Sequence, residues 1–280
     1  MSKDLIPVLR LLFWNLNGQS RADKVAALCK EHDVGVLVLA ELDEPPDTIT
    51  TALDQASRRL AWAGEGRSRL HCFSLPELQL REVFSDESRK LVLFEFQWNL
   101  MPFLVGAVHL ASPTNMELDD RNSEAKIIAD SVRKQEAERS HSRTILIGDF
   151  NLNPFDRGVS EASGFHGVMT KDQAIEGSRT VQFRPYPFFY NPMWGHLGDR
   201  TPGAAGTIYY RESAQLSYDW NTFDQVLLRP EVLALAEEEV AVLHRCGDQS
   251  FLDDKGRPDR QVGSDHLPLL VTLRWKGRNR

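Results

Sequence analysis

Short runs of apolar residues, separated by polar turns, dominate the hydrophobic pattern of this chain. Val34 to Ala40 is almost entirely apolar, which is typical of a strand covered on both faces. Leu118 to Arg139 instead carries Ala125, Ile128 and Val132 on one helical face, with charged residues opposite. The first segment is therefore predicted to be a buried strand and the second an amphipathic helix.

The other apolar runs predict further strands, several of them in a central antiparallel meander. They are Leu5 to Asn15, the meander runs His71 to Leu75, Leu78 to Phe84, Lys90 to Phe96 and Phe103 to His109, then Thr144 to Ile147, Phe223 to Leu228, Glu239 to Leu243 and Leu267 to Trp275. A capping box at Ser20 and Asp23 predicts one early helix, and a second is expected from about Asp47 to Leu60. Alternating helices and strands around a meander favour an α+β fold, a four-layer α/β/β/α sandwich of two mixed β-sheets packed face to face with helices outside.

Residues 153 to 211 interrupt this periodicity and are dense in proline, glycine and aromatic residues. Loops this long usually serve a functional site. No linker or break in composition divides the chain, so residues 1–280 are predicted to form a single domain.

Composition places the chain among soluble globular proteins, with 41% hydrophobic and 26% charged residues. No apolar run approaches the roughly 18 residues of a membrane span, and no signal-peptide pattern begins the chain. The cysteines are widely spaced and suggest neither a disulfide framework nor a zinc site, and Cys29 and Cys72 are expected to fill the core. We therefore expect a cytoplasmic protein with no membrane partner.

The net charge of −7 argues against a protein that holds nucleic acid mainly by bulk electrostatics. It does not exclude a nuclease, because a bound magnesium ion and local arginines can supply positive potential at one phosphate while the remaining surface stays acidic.

Two short motifs, each attached to an apolar run, carry the candidate chemistry. In Gly148-Asp149-Phe150-Asn151, a predicted strand ends in a carboxylate and a carboxamide that alternation places on one side of an extended chain. In Ser264-Asp265-His266, an acid and an imidazole precede the last strand. An acid, an amide and an imidazole at strand ends can hold a divalent cation and move a proton beside a phosphate.

Six segments in chain order extend these motifs into a recognisable pattern. They are Phe13-Trp14-Asn15, Leu39-Ala40-Glu41, Val108-His109-Leu110, Gly148-Asp149-Phe150-Asn151, Phe223-Asp224-Gln225-Val226-Leu227 and Ser264-Asp265-His266. With these segments the chain resembles the endonuclease/exonuclease/phosphatase superfamily, which includes deoxyribonuclease I, exonuclease III and inositol-polyphosphate phosphatases. The resemblance covers most of the chain and implies metal-dependent hydrolysis of phosphoesters.

The resemblance implies a magnesium site, for which manganese is a candidate substitute. Glu41 matches the position of the main carboxylate ligand. Asn15 and Asp265 match positions that complete the ion's environment, Asn15 through its amide oxygen and Asp265 through a carboxylate or a metal-bound water. On the residues alone, Glu41 could be a solvated strand end, Asn15 a turn residue and Asp265 a loop cap.

The resemblance also implies the proton-transfer groups. His266 matches the imidazole that faces the scissile phosphate, as general base or as donor to a phosphate oxygen, and Asp224 the carboxylate that orients it. Asp149 would activate the attacking water and Asn151 would donate to the phosphate. His109 is either a second acid-base group or a core histidine, and a histidine here weighs against an abasic-site repair enzyme.

Substrate contacts are expected from Arg121, Arg184 and Trp194. Arg121 begins the amphipathic helix where several family members bind phosphate, although a surface ion pair is an equal alternative. Arg184 and Trp194 belong to an aromatic segment, residues 183 to 195, which could stack on bases or pack as a hydrophobic lid.

The leading hypothesis is a magnesium-dependent phosphodiesterase that cleaves nucleic acid, most simply DNA. One alternative keeps this chemistry for a small phosphoester such as a nucleotide, inositol phosphate or lipid head group. Another is a catalytically silent binding module, against which stands the survival of the Glu, Asp-x-Asn and Asp-His motifs. A cytoplasmic nuclease must be restrained from host DNA, so a regulatory protein partner in a multi-protein system is a further expectation.

Overall fold

Two β-sheets contain the long strands of the protein. The computed structural model describes residues 6–64, 69–200, 202–211 and 218–277, so Leu5, the first residue of a predicted strand, lies outside the described residues. The strands are β1 (Val8–Asn15), β2 (Val36–Ala40), β3 (Ala61–Trp62), β4 (Leu70–Ser74), β5 (Arg81–Ser85), β6 (Leu91–Trp98), β7 (Met101–His109), β8 (Thr144–Asp149), β9 (Gly167–Val168), β10 (Ser178–Val181), β11 (Arg184–Pro187), β12 (Phe189–Tyr190), β13 (Ile208–Tyr209), β14 (Trp220–Asn221), β15 (Asp224–Leu228), β16 (Ala236–Val242), β17 (Arg245–Cys246), β18 (Gln249–Ser250) and β19 (Leu269–Trp275). The helices are α1 (Ala22–Glu31), α2 (Pro46–Gln55), α3 (Leu118–Arg139), α4 (Arg157–Ser160), α5 (Lys171–Ile175) and α6 (Pro230–Leu235).

Both sheets mix parallel and antiparallel pairs. The six-stranded sheet has the order β16-β19-β1-β2-β4-β3, with β1 and β2 parallel. The seven-stranded sheet has the order β5-β6-β7-β8-β15-β12-β9, with β7 parallel to β8 and β12 parallel to β9. A parallel pair needs a crossover connection, and here a helix provides it: α1 connects β1 to β2, and α3 connects β7 to β8.

Three apolar clusters bind the layers together, and alternation along each strand explains them. In β1, Leu11 and Phe13 point into the cluster between the two sheets, whereas Leu12 and Trp14 pack with α1 and α2. A third cluster joins the seven-stranded sheet to α3. This arrangement is the predicted four-layer α/β/β/α sandwich, and the prediction of the fold class is confirmed.

Two local predictions were wrong. Ser20 does not cap α1, because the N-cap residue is Arg21 and the Ser20 hydroxyl donates to Glu44 Oε2 at 2.8 Å. The predicted four-run meander is divided between the sheets: only β5, β6 and β7 form it, and β4 pairs with β2 instead. Antiparallel strands separated by a turn can pair with each other or with an earlier strand, and the hydrophobic pattern is the same in both cases.

The amphipathic helix is confirmed with the predicted bounds, and its predicted apolar face is buried against the sheet. Cys29 and Cys72 are buried in the core as expected, and burial raises the pKa of the Cys29 thiol to about 12. Among the described residues, no helix combines the length with the hydropathy that a membrane-spanning segment needs.

Candidate active site

The strand ends of the seven-stranded sheet place three polar side chains in a row. β7 and β8 are parallel neighbours, so their last residues, His109 and Asp149, lie opposite each other in register. β15 runs antiparallel to β8, which places its first residue, Asp224, beside Asp149 on the other side. The hydrophobic pattern located each strand end to within two residues, and sheet pairing brings the three residues together.

The six-stranded sheet brings a second set of polar groups to the same place. Asn15 ends β1 and Glu41 directly follows β2. Asn15 Nδ2 donates to Asp149 Oδ2 at 3.0 Å and lies 3.5 Å from Glu41 Oε1. These contacts join the two sheets at their polar ends. The Asn15 amide oxygen accepts from the backbone N–H of Asn17 at 3.0 Å, so Asn15 turns its nitrogen, not its oxygen, toward the carboxylates.

Two backbone features shape this edge of the sheets. A Cβ on Gly148 would lie 2.0 Å from the Val108 carbonyl oxygen, so only glycine allows β7 and β8 to approach this closely beside Asp149. Glu41 has a φ of +52°, an unfavourable region for a non-glycine residue that is often found at functional sites. Asn151, at a φ of +48°, is held by its backbone N–H donating to Asp149 Oδ1 at 2.8 Å.

His266 and Asp224 form a buried hydrogen-bonded pair. His266 Nδ1 lies 2.9 Å from Asp224 Oδ2, and the other ring nitrogen, Nε2, lies 4.0 Å from Asp149 Oδ2. Burial acts to lower the pKa of His266, but the charges of Asp224, Asp149 and Asp265 outweigh it and raise the pKa. Burial also raises the pKa of Asp224, against the attraction of His266. The neighbouring carboxylates thus favour the protonated form of the His266 ring.

His109 faces the site as well as the core. It is 9% exposed, and its Nε2 lies 3.1 Å from Glu41 Oε1 and 3.9 Å from Asp149 Oδ2. The hydrogen bond from His109 lowers the pKa of Glu41. Burial acts to lower the pKa of His109, but the contacts with Glu41 and Asp149 outweigh it and raise the pKa. His109 and Glu41 thus stabilise each other in their charged forms.

These groups lie at or directly behind the lining of an open cleft of about 930 Å³. Glu41, Asp149, Asn151, Asp265 and His266 line it directly. Asn15, His109 and Asp224 do not line the cleft but contact residues that do. The second group is therefore placed to orient the first.

The three predicted substrate contacts have different positions. Arg121 lines the cleft, but it is 8% exposed and donates to the backbone oxygens of Met116 and Asn151. Arg184 does not line the cleft: it lies in the β10–β11 hairpin, whose last residue, Pro187, accepts a hydrogen bond from Arg229. Arg229 follows the end of β15 remote from Asp224.

Trp194 does not line the cleft either, within the part of the chain that the structure describes. It is half-buried in a short 3₁₀ helix and packs edge-on against Phe155 at 6.4 Å between ring centroids. The aromatic segment was predicted from composition alone, and composition does not tell which of its rings faces a cleft.

Several residues that line or contact the cleft were not predicted from the sequence. Asn17 Nδ2 donates to Asp265 Oδ2 at 2.9 Å, and Arg260 forms an ion pair with the same oxygen. Arg69 and Tyr218 also line the cleft. Asn17 had a usable signal, since it alternates with Asn15 as Asn151 does with Asp149. For the other three, we find no signal in the sequence.

The donor chemistry fits a hard divalent cation. Glu41, Asp149 and Asp265 bring carboxylate oxygens to one cleft, and oxygen ligands are those that Mg²⁺ prefers. Among the described residues, Asp149, Asp224 and His266 also place ligand atoms within 4.8 Å of one another. We favour the first set, because Asp224 is fully buried and already bonded to His266 through both oxygens.

Comparison with solved structures shows the fold alone, since all identities are low. A protein of Bacteroides thetaiotaomicron described as an endonuclease/exonuclease/phosphatase family protein matches with a TM-score of 0.60 and 13% sequence identity. The match covers 97% of this chain and 96% of that protein. D. rerio TDP2, in complex with a single-strand DNA product, matches with 0.55 and 15% identity over 95% and 98%. The endonuclease domain of TRAS1, a telomere-specific non-LTR retrotransposon, matches with 0.53 and 12% identity over 95% and 98%.

No curated protein matches the sequence. The sequence model of the Endonuclease/Exonuclease/phosphatase family, however, matches residues 12–266, which include all six motif segments from Phe13 to His266. The resemblance predicted from those segments is thereby confirmed. This chain belongs to the Endonuclease/Exonuclease/phosphatase family.

Proposed function

We propose that this protein is a magnesium-dependent phosphodiesterase that hydrolyses DNA by in-line attack of water. The observation that carries the proposal is the convergence, at one cleft, of the His266–Asp224 pair with carboxylates from both sheets. An imidazole held by a buried carboxylate, beside further carboxylates, has the composition of a site for phosphoester hydrolysis.

Glu41 and Asp265 are the proposed ligands of the metal, and both line the cleft. When bound, Mg²⁺ would neutralise charge on the phosphate oxygens and polarise the phosphorus. Asn15 is proposed to fix the spacing of Glu41 and Asp149, since its amide nitrogen faces both. Its role is thus to orient ligands rather than to supply an oxygen.

Asp149 is proposed to position the attacking water. One of its oxygens accepts the Asn151 backbone N–H at 2.8 Å, and the other faces Asn15 and both site histidines. His266, oriented by Asp224, presents Nε2 beside Asp149 and would donate to a phosphate oxygen that gains charge in the transition state. His109 is proposed as the second acid-base group.

Asn151 and Arg121 would complete the phosphate contacts. The Asn151 amide donates one hydrogen to the Leu110 oxygen at 3.0 Å, and an amide nitrogen carries a second donor for the cleft. Arg121 donates to the Asn151 backbone oxygen, which positions that residue. DNA is favoured as substrate because arginines line this cleft of an acidic protein, and related folds include TDP2 with a DNA product and a retrotransposon endonuclease domain.

The test is hydrolysis of labelled single-stranded DNA, duplex DNA, RNA and a small phosphodiester by the purified protein, with Mg²⁺, Mn²⁺ or EDTA. We expect DNA cleavage with either metal, none with EDTA, and a loss of at least about 10²-fold in His266→Ala. His244→Ala, at an exposed histidine outside the cleft, is the matched control and should cleave like the wild type. Turnover of the small ester alone would contradict DNA as substrate, and activity in EDTA would contradict the metal requirement.

A further inference from the structure

The cleft has two chemically different sides. Loops at the ends of the six-stranded sheet contribute Arg69, which precedes β4, and Arg260, which precedes β19. The seven-stranded sheet and the loops between its strands contribute the apolar and aromatic lining: Met116, Ile208, Tyr210, Tyr218 and Phe223. A ligand that fills the cleft therefore meets Arg69 and Arg260 from the first sheet, and apolar and aromatic side chains together with Arg121 from the second.

An aromatic wall, which we define as Tyr218, Phe155 and Trp194, extends the second side beyond the cleft. Tyr218 and Phe155 meet edge-on, with ring centroids 5.7 Å apart, and Phe155 meets Trp194 at 6.4 Å. Tyr218 is 57% exposed and Phe155 39% exposed, whereas Trp194 is half-buried behind them. Tyr218 also lines the cleft, so exposed ring surface continues from the cleft lining to Phe155 beside it.

The aromatic wall is tied to the catalytic groups through short hydrogen-bonded connections. Ile208, in the ribbon formed by β13 and β14, bridges to His266, and Tyr218 lies two residues before β14. Asn153, two residues before Phe155, donates from its amide to Asn221 Oδ1 at 2.9 Å. The rings are thus held at a defined position relative to His266.

We propose that the aromatic wall stacks a nucleobase next to the scissile phosphate, so that the substrate of this cleft is an unpaired DNA strand. This inference rests on the proposed nuclease function. Every base has an apolar face that stacks on aromatic side chains, but in a continuous duplex both faces are covered by neighbouring pairs. A stacking wall beside the reacting phosphate therefore selects a strand whose bases are free.

The arginines suit the backbone of such a strand. The Arg260 side chain is 64% exposed, and its ion pair with Asp265 uses one of its terminal nitrogens. Arg21 fixes the loop beneath it by donating to the Arg260 oxygen at 3.0 Å and to the Gly263 oxygen at 2.9 Å. No second side-chain partner of Arg260 is found among the described residues, so its other guanidinium donors are available to a phosphate, which arginine binds through a planar fork.

The test compares Tyr218→Ala with wild type on three DNA substrates of one sequence: an unpaired strand, the same strand lacking bases next to the cleavage position, and the full duplex. We expect wild type to prefer the unpaired strand over the duplex. Tyr218→Ala should lower kcat/KM on the unpaired strand about tenfold and leave the base-free strand unchanged. Tyr218→Phe keeps the ring and should retain wild-type activity, which separates loss of stacking from loss of folding.

Phe183→Ala is the matched control, because Phe183 is fully exposed at the tip of the β10–β11 hairpin and does not line the cleft. An equal effect of Tyr218→Ala on the base-bearing and base-free strands would overturn the stacking inference, as would equal cleavage of unpaired strand and duplex by wild type. Both of those outcomes leave the proposed nuclease function intact. Failure of wild type to cleave any DNA, with turnover of a small phosphodiester, would instead overturn the proposed function and the inference together.

Discussion

At the scale of single residues, the site is a set of side chains that depend on one another for orientation. Asp224 is fully buried and accepts the Nδ1 hydrogen of His266 with both oxygens, at 2.9 and 3.0 Å. This contact determines which ring nitrogen of His266 faces Asp149. A carboxylate bonded to one ring nitrogen in this way fixes the tautomer and the direction of the ring.

Replacement of Asp224 by Asn is therefore expected to lower kcat on DNA by about 10²- to 10⁴-fold, because the amide cannot hold the charged ring in the same way. The measurement is single-turnover cleavage, with circular dichroism to show that the protein is folded. Asp172→Asn, at an exposed position in α5, serves as control and should match wild type. Undiminished cleavage by the Asp224 variant would rule out its role in orienting His266.

At the scale of secondary-structure elements, the approach of β7 and β8 determines the position of Asp149. The two strands are parallel and pair in register up to His109 and Asp149. Gly148 makes this pairing possible, since a Cβ there would lie 2.0 Å from the Val108 oxygen. The glycine before Asp149 thus has a packing function.

We expect Gly148→Ala to destabilise the protein by about 2 kcal/mol or more, because the methyl group must push one backbone away from the other. Urea denaturation would measure the loss. Gly277→Ala, at a glycine whose added Cβ would meet nothing within 4 Å, should stay within about 0.5 kcal/mol of wild type. Equal stability of the two variants would show that β8 can move aside without cost.

At the scale of the whole molecule, the two sheets share the acidic site. The six-stranded sheet supplies Glu41 and Asp265 at its ends, and the seven-stranded sheet supplies Asp149 and Asp224. Four carboxylates at one junction repel each other, and a cation bound there would join the sheets as well as relieve the repulsion.

Magnesium should accordingly raise the melting temperature of the wild-type protein. Binding at a hundredfold excess over Kd adds about 2.7 kcal/mol to the free energy of unfolding, which corresponds to several degrees. Glu41→Gln should abolish most of this shift, whereas Glu44→Gln, outside the cleft lining, should keep it. Differential scanning calorimetry with and without Mg²⁺ measures the change in melting temperature of each variant. An equal change in the two variants would contradict Glu41 as a metal ligand.

Prediction from the sequence was most successful where a local pattern determines the outcome. The buried strand β2 and the long helix α3 follow from periodicity, and the motif residues Asp149 and His266 follow from their position beside apolar runs. Prediction was less successful where partners are far apart along the chain. β4 pairs with β2 in the six-stranded sheet and not with the predicted meander. Arg184 lies in the β10–β11 hairpin, away from the cleft, and the chain after this hairpin enters the seven-stranded sheet as β12.

The sequence by itself determined the layers of the fold and the family to which the chain belongs, because both depend on the spacing of apolar residues and on short motifs at strand ends. Only the tertiary structure decided which residues line the cleft. Arg260 and Tyr218 reach it from polar loops without any periodic signal, and Asn15 faces the carboxylates with its nitrogen because Asn17 occupies its oxygen. Such contacts arise where two sheets meet, so they depend on sheet packing rather than on local sequence.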